Sequence, residues 1–165
     1  DAQESRGLGD VYKRQTVVLD FAHNSISMNA LLQTARSYDP ARIIAVFGTG
    51  GRTRVRRHQL GEAVAKGADL AIITTDDPDR DDPAEVIADI ATCFGPGSCP
   101  HVGIVDRREA VRYALEQMRP GDMLLLCGKG REGYQLVQGK KIPYDEEETV
   151  RSCARELLES RPQAL

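Results

Sequence analysis

Short apolar runs alternate with amphipathic segments along most of this chain. Five runs rich in β-branched or other apolar residues predict buried strands: TVVLDF, ARIIAVFG, DLAIITT, HVGIVD and DMLLLCG. Four segments between them carry apolar residues at helical spacing: SISMNALLQTARSY, RRHQLGEAVAKGA, DDPAEVIADIATCF and RREAVRYALEQM. Strands that alternate with helices of this length predict right-handed βαβ units and a mainly parallel sheet.

The last part of the chain has a different pattern. The segment YQLVQGKKIPY predicts a hairpin that turns at Gln138 and Gly139, and EEETVRSCARELLES predicts a closing helix with acids in its first turn. The sequence therefore predicts an α/β fold, a Rossmann-like three-layer αβα sandwich with a mainly parallel sheet and a C-terminal β-hairpin.

Two of the predicted helices begin with cap signals. Ser25 is expected to cap the first helix. Asp82 is expected to cap a later one, with Pro83 in the first turn and Glu85 three residues after the cap, as in a capping box.

Composition excludes several classes of protein. The 165 residues fit one domain, and the net charge of -3 argues against a general nucleic-acid binder. No window is as long and apolar as the roughly 20 residues that a membrane helix needs. Residues 1–15 are polar and aperiodic, so they are interpreted as a linker remnant or a non-native segment. The stretch GDVYKRQ resembles translated sequencing-adaptor read-through, and the domain itself is expected to occupy residues 16–165.

The cysteines and histidines do not predict a metal site. The four cysteines show no C-x-x-C spacing, and the three histidines are scattered along the chain. Free thiols are the favoured interpretation.

The residues that follow the predicted strands are the candidates for a binding site. In open α/β sheets, ligands bind beyond the carboxyl ends of the strands. Four such loops are rich in charge or glycine: DFAHN, GTGGRTRVRR, TTDDPDRDD and GKGREGYQ. Because parallel strands place these loops at one edge of the sheet, the sequence predicts a polar site there.

Two of these loops contain glycine and basic residues, which suit an anion or an amino acid. GTGGRTRVRR combines exposed backbone with arginines, so an anion site is favoured over a solvated basic helix start. It does not match the dinucleotide fingerprint, and GKGREGYQ does not match a Walker A loop. In GKGREGYQ, the backbone of Gly128 and Gly130 beside the carboxylate of Glu132 suits a zwitterionic amino acid.

The other two loops leave more alternatives open. TTDDPDRDD is suited to a metal or a cationic group, or it serves only as a turn and a helix cap. DFAHN suits a ribose or base contact or a proton relay.

The ordered set VVLDFAHN, VFGTGGRTRVRR, ITTDDPDRDDP and GDMLLLCGKGREGYQLVQGKKIPYDEEE resembles the C-terminal domain of the Mur ligases. The resemblance is greatest to the members that add the third residue of the peptidoglycan stem peptide. It implies a three-domain cytoplasmic enzyme that uses ATP and Mg²⁺ to join UDP-MurNAc-L-Ala-D-Glu to an amino acid through an acyl phosphate. The N-terminal and central domains would hold the UDP substrate, the P-loop and most of the ATP and Mg²⁺ contacts. No catalytic residue is therefore expected in this chain, and the isolated domain is expected to be inactive.

The resemblance also implies roles for individual residues. Asp20 and His23 match the D-x-A-H motif that faces the nucleotide. Gly128 and Glu132 match the G-K-G-x-E positions that hold the backbone end of the acceptor amino acid. Arg52, or Arg54 if the loop is one residue shorter than in relatives, would contact the acceptor carboxylate.

The motif Asp76-Asp77-Pro78-Asp79 matches the specificity motif, which reads D-N-P-R in ligases that add meso-diaminopimelate. There the arginine pairs with the distal carboxylate, whereas an aspartate at that position attracts an ammonium. At ~4 Å the gross attraction is about 4 kcal/mol at an effective dielectric of 20, before desolvation. L-lysine or ornithine is therefore the predicted acceptor, unless a shift of one residue lets Arg80 restore diaminopimelate.

Two alternatives remain at this point. One is a folylpolyglutamate or cyanophycin synthetase-type ligase domain, which shares the Asp-x-x-His motif. The other is a non-catalytic Rossmann-like binding module.

Overall fold

The computed structural model describes residues 15–50 and 53–160. The strands of its main sheet are β1 (Thr16–Asp20), β2 (Ile43–Phe47), β3 (Leu70–Thr74), β4 (His101–Ile104) and β5 (Met123–Cys127). The helices between them are α1 (Ser25–Ser37), α2 (Arg54–Gly67), α3 (Pro83–Ala91) and α4 (Arg107–Gln117). The remaining elements are β6 (Tyr134–Val137), β7 (Lys140–Pro143) and α5 (Glu146–Glu159). No helix in these two ranges is long and apolar enough to cross a membrane.

The main sheet is parallel, as the alternation of strands and helices predicts. Its order is β1-β5-β2-β3-β4, and every pairing within it is parallel. Strands β5 and β2 lie side by side inside the sheet, and both are buried at every residue. A strand covered on both faces must be apolar throughout, which is why these two read as continuous hydrophobic runs.

Two hydrophobic cores lie on opposite faces of this sheet. Along β2, Ile43, Ala45 and Phe47 belong to the core that also contains residues of α1, α2 and α3. Ile44 and Val46 point the other way and pack with residues of α4 and α5. Successive strand residues face opposite sides, so one strand contributes to both cores. This arrangement confirms the predicted three-layer αβα sandwich.

The C-terminal hairpin forms where the sequence predicts it. Strands β6 and β7 pair antiparallel, and the turn residues Gln138 and Gly139 have φ angles of 51° and 72°. Positive φ at both central residues is what a tight two-residue hairpin requires. At its base, Tyr144 N–H donates to Gly133 O at 3.0 Å, which joins the hairpin to the segment after β5.

One of the two predicted helix caps is wrong and the other is right. Asn24, not Ser25, caps α1: its Oδ1 accepts from Ser27 N–H at 2.9 Å, and the Ser27 hydroxyl lies 3.4 Å from the Asn24 amide. This reciprocal pair satisfies two amide groups at the helix start. Asp82 does cap α3, but its carboxylate accepts from Ala84 N–H at 2.8 Å, one residue before the Glu85 amide that a capping box would use.

Candidate functional site

The loops that follow the parallel strands contact one another at the carboxyl edge of the sheet. Gly128 N–H donates to Asp20 O at 3.0 Å, which joins the segments after β5 and β1. A Cβ on Gly48, directly after β2, would lie only 2.3 Å from Thr74 O at the end of β3. Below, residues 75–82 are called the acidic loop and residues 128–133 the glycine–lysine loop.

A buried lysine of the glycine–lysine loop reaches the acidic loop. The side chain of Lys129 is 0% exposed, and its Nζ lies 2.7 Å from Asp77 Oδ1, 3.0 Å from Glu132 Oε2 and 3.2 Å from Asp76 Oδ1. Burial alone lowers the pKa of a lysine, but these carboxylates raise the pKa of Lys129 above its ordinary value. We call these four residues the Lys129 cluster. It contains three carboxyl groups and one ammonium.

Asp76 is the most buried carboxyl group of the Lys129 cluster, at 5% exposure. Burial raises its pKa, against the opposing effects of Arg107 and then Lys129. Gly128 makes this position possible: its φ is 103°, and an added Cβ would lie 2.5 Å from Asp76 Oδ2. The first glycine of the glycine–lysine loop therefore allows a carboxyl group to approach the backbone.

The rest of the acidic loop is joined to the hairpin. Asp77 Oδ1 accepts from Leu136 N–H at 2.8 Å, and Pro78 beside it is buried. Asp79 has a φ of 52°; its N–H donates to Leu136 O, and its Oδ1 accepts from Gly139 N–H, both at 3.0 Å. One oxygen of Asp79 is thus used to brace the hairpin turn.

The residues of the D-x-A-H motif make local contacts. Asp20 Oδ1 accepts from Ala22 N–H at 2.7 Å, which bends the chain directly after β1. His23 is exposed, and its Nδ1 lies 2.9 Å from Phe21 O. The motif therefore forms a short turn with the imidazole on its outside.

The glycine-rich loop, GTGGRTRVRR, carries four arginines, and the structure describes three of them. Arg52 lies outside the described residues. Arg54 begins α2 with a side chain that is 80% exposed and lies 3.5 Å from Asp89. Arg57 is buried and forms ion pairs with both Asp81 and Asp89. Through Asp81, Arg57 joins α2 to the end of the acidic loop.

Another cation, Arg107, is more deeply buried at the same edge of the sheet. The side chain of Arg107, the first residue of α4, is 1% exposed and pairs with Glu146, which is 0% exposed. The charge of Arg107 also opposes the raised pKa of Asp76. Sequence reasoning missed both Lys129 and Arg107. The available signals were a lysine flanked by glycines in an acid-rich site, and an arginine at a helix start, where a cation is disfavoured.

The described residues offer no group suited to a metal ion such as Mg²⁺. No three histidine, cysteine, aspartate or glutamate side chains in ranges 15–50 and 53–160 form a group that could hold a metal ion. The acids of the Lys129 cluster surround an ammonium instead.

Known proteins are similar to this chain in sequence and in structure. The sequence profile of the Mur ligase glutamate ligase domain matches residues 8–130. The chain belongs to the Mur ligase family. This finding confirms the resemblance carried by the four loops, and it applies to the greater part of the chain.

Curated Mur ligases extend the comparison. The UDP-N-acetylmuramoyl-L-alanyl-D-glutamate--2,6-diaminopimelate ligase of Caldanaerobacter subterraneus subsp. tengcongensis is 40% identical over 141 residues, which cover 85% of this chain and 29% of the relative. The ligase of the same name from Nostoc sp. is 42% identical over 142 residues, or 86% of this chain and 28% of the relative. A solved structure of a ligase with that name superposes with a TM-score of 0.82 at 33% identity, covering 88% of this chain and 30% of that one. The chain thus spans less than a third of the length of these relatives.

Proposed function

We propose that this chain is the acceptor-binding domain of an ATP-dependent ligase that adds a diamino acid to UDP-MurNAc-L-Ala-D-Glu. The observation that carries the proposal is the acid excess of the Lys129 cluster: three carboxyl groups face one buried ammonium at the ligand-binding edge of the sheet. An excess of carboxylates attracts a further cation, and every amino acid offers its α-ammonium.

Glu132 and Asp77 are suited to bind that α-ammonium. Lys129 uses Oε2 of Glu132 and Oδ1 of Asp77, so the second oxygen of each carboxylate remains for an incoming ammonium. Gly128 contributes by letting Asp76 pack beneath them. The acceptor carboxylate is assigned to an arginine of the glycine-rich loop, Arg52, with Arg54 as the alternative.

The nucleotide and the metal ion are assigned mainly to parts of the enzyme beyond this chain. The described residues offer no metal group, and Asp20 and His23 are proposed only to face the nucleotide. The contribution of this chain is to hold the acceptor amine near an activated carboxyl group of the UDP-linked dipeptide. Proximity and orientation of this kind are among the largest contributions an enzyme makes to amide formation.

The identity of the diamino acid depends on two adjacent residues. Asp79 stands where diaminopimelate ligases of the family carry arginine, and its second oxygen would pair with a distal ammonium. This favours L-lysine or ornithine. Arg80 supports meso-diaminopimelate as the second candidate: it is exposed, no described residue pairs with it, and the relatives cited above are named diaminopimelate ligases.

The test is ADP release by the full-length protein encoded by the gene of this chain, with UDP-MurNAc-L-Ala-D-Glu and each candidate acceptor in turn. We expect kcat/KM about tenfold higher for lysine or ornithine than for meso-diaminopimelate, equivalent to ~1.4 kcal/mol. Preference for meso-diaminopimelate would overturn the role of Asp79 but keep the ligase. Absence of turnover with all three would overturn the ligase proposal.

The Asp79→Arg variant sharpens this test. It restores the arginine of the diaminopimelate motif without changing the Lys129 cluster, so it should shift the preference toward meso-diaminopimelate. Asp79→Asn is the matched control, because its amide oxygen can still accept from Gly139 N–H and asparagine tolerates a positive φ.

A further inference from the structure

Arg107 lies at a position where a cation is disfavoured for two reasons. It is the first residue of α4, where the exposed amide groups of the helix give a partial positive charge. Its side chain is 1% exposed, so it has also lost nearly all contact with water. A guanidinium in such a position is stable only where partners compensate for both effects.

Glu146, the first residue of α5, supplies that compensation. Arg107 Nε donates to Glu146 Oε1 at 3.2 Å and to Oε2 at 3.1 Å, and Nη2 donates to Oε2 at 2.5 Å. Because a carboxylate at a helix N-terminus is favoured by the helix dipole, the pair joins one helix start to another.

The remaining hydrogen bonds of Arg107 go to backbone carbonyl groups beside the Lys129 cluster. Nη1 donates to Thr75 O at 3.2 Å, and Nη2 donates to Cys127 O at 2.9 Å. Thr75 directly precedes Asp76, and Cys127 directly precedes Gly128. These carbonyl groups follow β3 and end β5, which are not neighbours because β2 lies between them. One side chain thus bridges the backbone at the starts of the two loops across the edge of the sheet.

The same network reaches the hairpin. Glu146 Oε1 accepts from the Tyr144 hydroxyl at 2.7 Å, directly after β7. Gln135 Nε2 on β6 donates to Thr75 O at 3.3 Å, the carbonyl that Arg107 also binds. The acidic loop, the start of the glycine–lysine loop and the hairpin are therefore joined by one connected set of hydrogen bonds.

We propose that Arg107, oriented by Glu146, is a positioning residue for the acceptor: it holds the acidic loop and the glycine–lysine loop at the spacing at which Asp77 and Glu132 bind one ammonium. This proposal rests on the proposed ligase function. It requires that Arg107 determine KM for the acceptor amino acid while leaving KM for ATP unchanged, because the nucleotide is assigned outside this site.

The experiment compares variants of the full-length protein under steady-state conditions, with each substrate varied in turn. Arg107→Lys keeps the charge but cannot reach both carbonyl groups and Glu146 in the same fork geometry. Arg107→Met/Glu146→Gln removes both buried charges together, which avoids leaving one of them without a partner. Arg108→Met is the matched control, since it removes the same charge from the next residue, whose side chain is 41% exposed and pairs with Glu156.

We expect KM for the acceptor to rise about tenfold or more in Arg107→Met/Glu146→Gln and by less in Arg107→Lys, with KM for ATP within about twofold of wild type. Arg108→Met should match wild type in both. Thermal unfolding of each variant identifies any loss of fold. If the double variant fails to fold, the proposal is tested by Arg107→Lys alone. An acceptor KM in Arg107→Lys equal to that of wild type would then overturn it.

Equal rises in the two KM values, or a fall in kcat alone, would also overturn the positioning role. In both cases the proposed ligase function would stand on the activity of the wild-type protein. If the wild-type protein shows no acceptor-dependent turnover, the proposed function fails, and the positioning role fails with it.

Discussion

The two most deeply buried cations among the described residues, Lys129 and Arg107, lie at the same edge of this sheet, and their surroundings differ in charge balance. Arg107 hydrogen-bonds one carboxylate, Glu146, and uses its other donors on two backbone carbonyl groups. Lys129 faces three carboxyl groups and is outnumbered by them. Both side chains are essentially inaccessible to water, at 1% and 0% exposure.

The difference separates a structural pair from a site that can bind a ligand. A balanced, fully hydrogen-bonded pair has no remaining demand for charge, so it can only hold its neighbours in place. An outnumbered ammonium leaves a negative excess, and such an excess is costly unless a further cation or a proton offsets it. Burial raises the pKa of Asp76, and the charge of Asp77 raises it further, against the opposing charges of Arg107 and Lys129.

The largest effect is expected when one member of the Arg107–Glu146 pair is removed. Arg107→Met leaves the Glu146 carboxylate buried without a cation, so the free energy of unfolding should fall by about 3–5 kcal/mol. Arg107→Met/Glu146→Gln should recover most of that loss, since no uncompensated charge remains. Urea unfolding of the chain followed by circular dichroism measures both. A double variant as unstable as the single one would contradict the balanced description of this pair.

Removing the outnumbered cation should have a smaller effect that depends on pH. In Lys129→Met, Asp76 loses an opposing charge, and its pKa, already raised by burial, rises further. A carboxyl group with a folded pKa above its unfolded value stabilises the fold at low pH, and that contribution is lost as pH rises through the folded pKa. The variant should therefore be destabilised by a few kcal/mol near pH 7 and by less near pH 5.

Urea unfolding of Lys129→Met and wild type at several pH values measures this difference. Arg151→Met is a matched control, because Arg151 pairs with Glu147 on the exposed surface of α5. The acid excess would be contradicted if Lys129→Met lost the same free energy of unfolding, relative to wild type, at every pH from about 8 to 5.

The folded elements were predictable because their signals are local. Strand β5 is buried at all five residues, and its sequence is an unbroken apolar run. The hairpin turn at Gln138 and Gly139 was predictable for the same reason. The cap of α1 was misplaced by one residue because Asn24 and Ser25 are both good cap residues. Only the reciprocal bond with Ser27 decides between them.

The gathering of the site was predictable, but its internal pairing was not. Parallel strands place the loops with Asp76, Asp77 and Glu132 at one edge, whatever their side chains do. Lys129 pairs with Asp77, which lies 52 positions away in the sequence, and Arg107 pairs with Glu146, which lies 39 positions away. No local pattern encodes such pairs, since they depend on loop spacing that only the packed sheet defines.

A glycine substitution gives a smaller effect within the Lys129 cluster. Gly128→Ala places a Cβ 2.5 Å from Asp76 Oδ2 at a φ of 103°, so both contact and backbone conformation are unfavourable. We expect a loss of about 2–3 kcal/mol in the free energy of unfolding. Gly139→Ala is the control: its φ is 72°, but nothing lies within 4 Å of the added Cβ, so the expected loss is only ~1 kcal/mol. Equal losses in thermal unfolding would mean that Asp76 is not held against Gly128.

The most direct test of the acid excess is the acceptor KM of Glu132→Gln in the full-length protein. Glutamine keeps the size of the side chain and can still accept from Lys129, while the negative excess falls by one charge. Glu116→Gln is the control with the same change in net charge, at an exposed ion pair with Arg112 near the end of α4. We expect Glu132→Gln to raise KM for the acceptor about tenfold or more, with KM for ATP unchanged and Glu116→Gln like wild type. An acceptor KM within about twofold of wild type in Glu132→Gln would contradict the claim that the Lys129 cluster binds the acceptor ammonium.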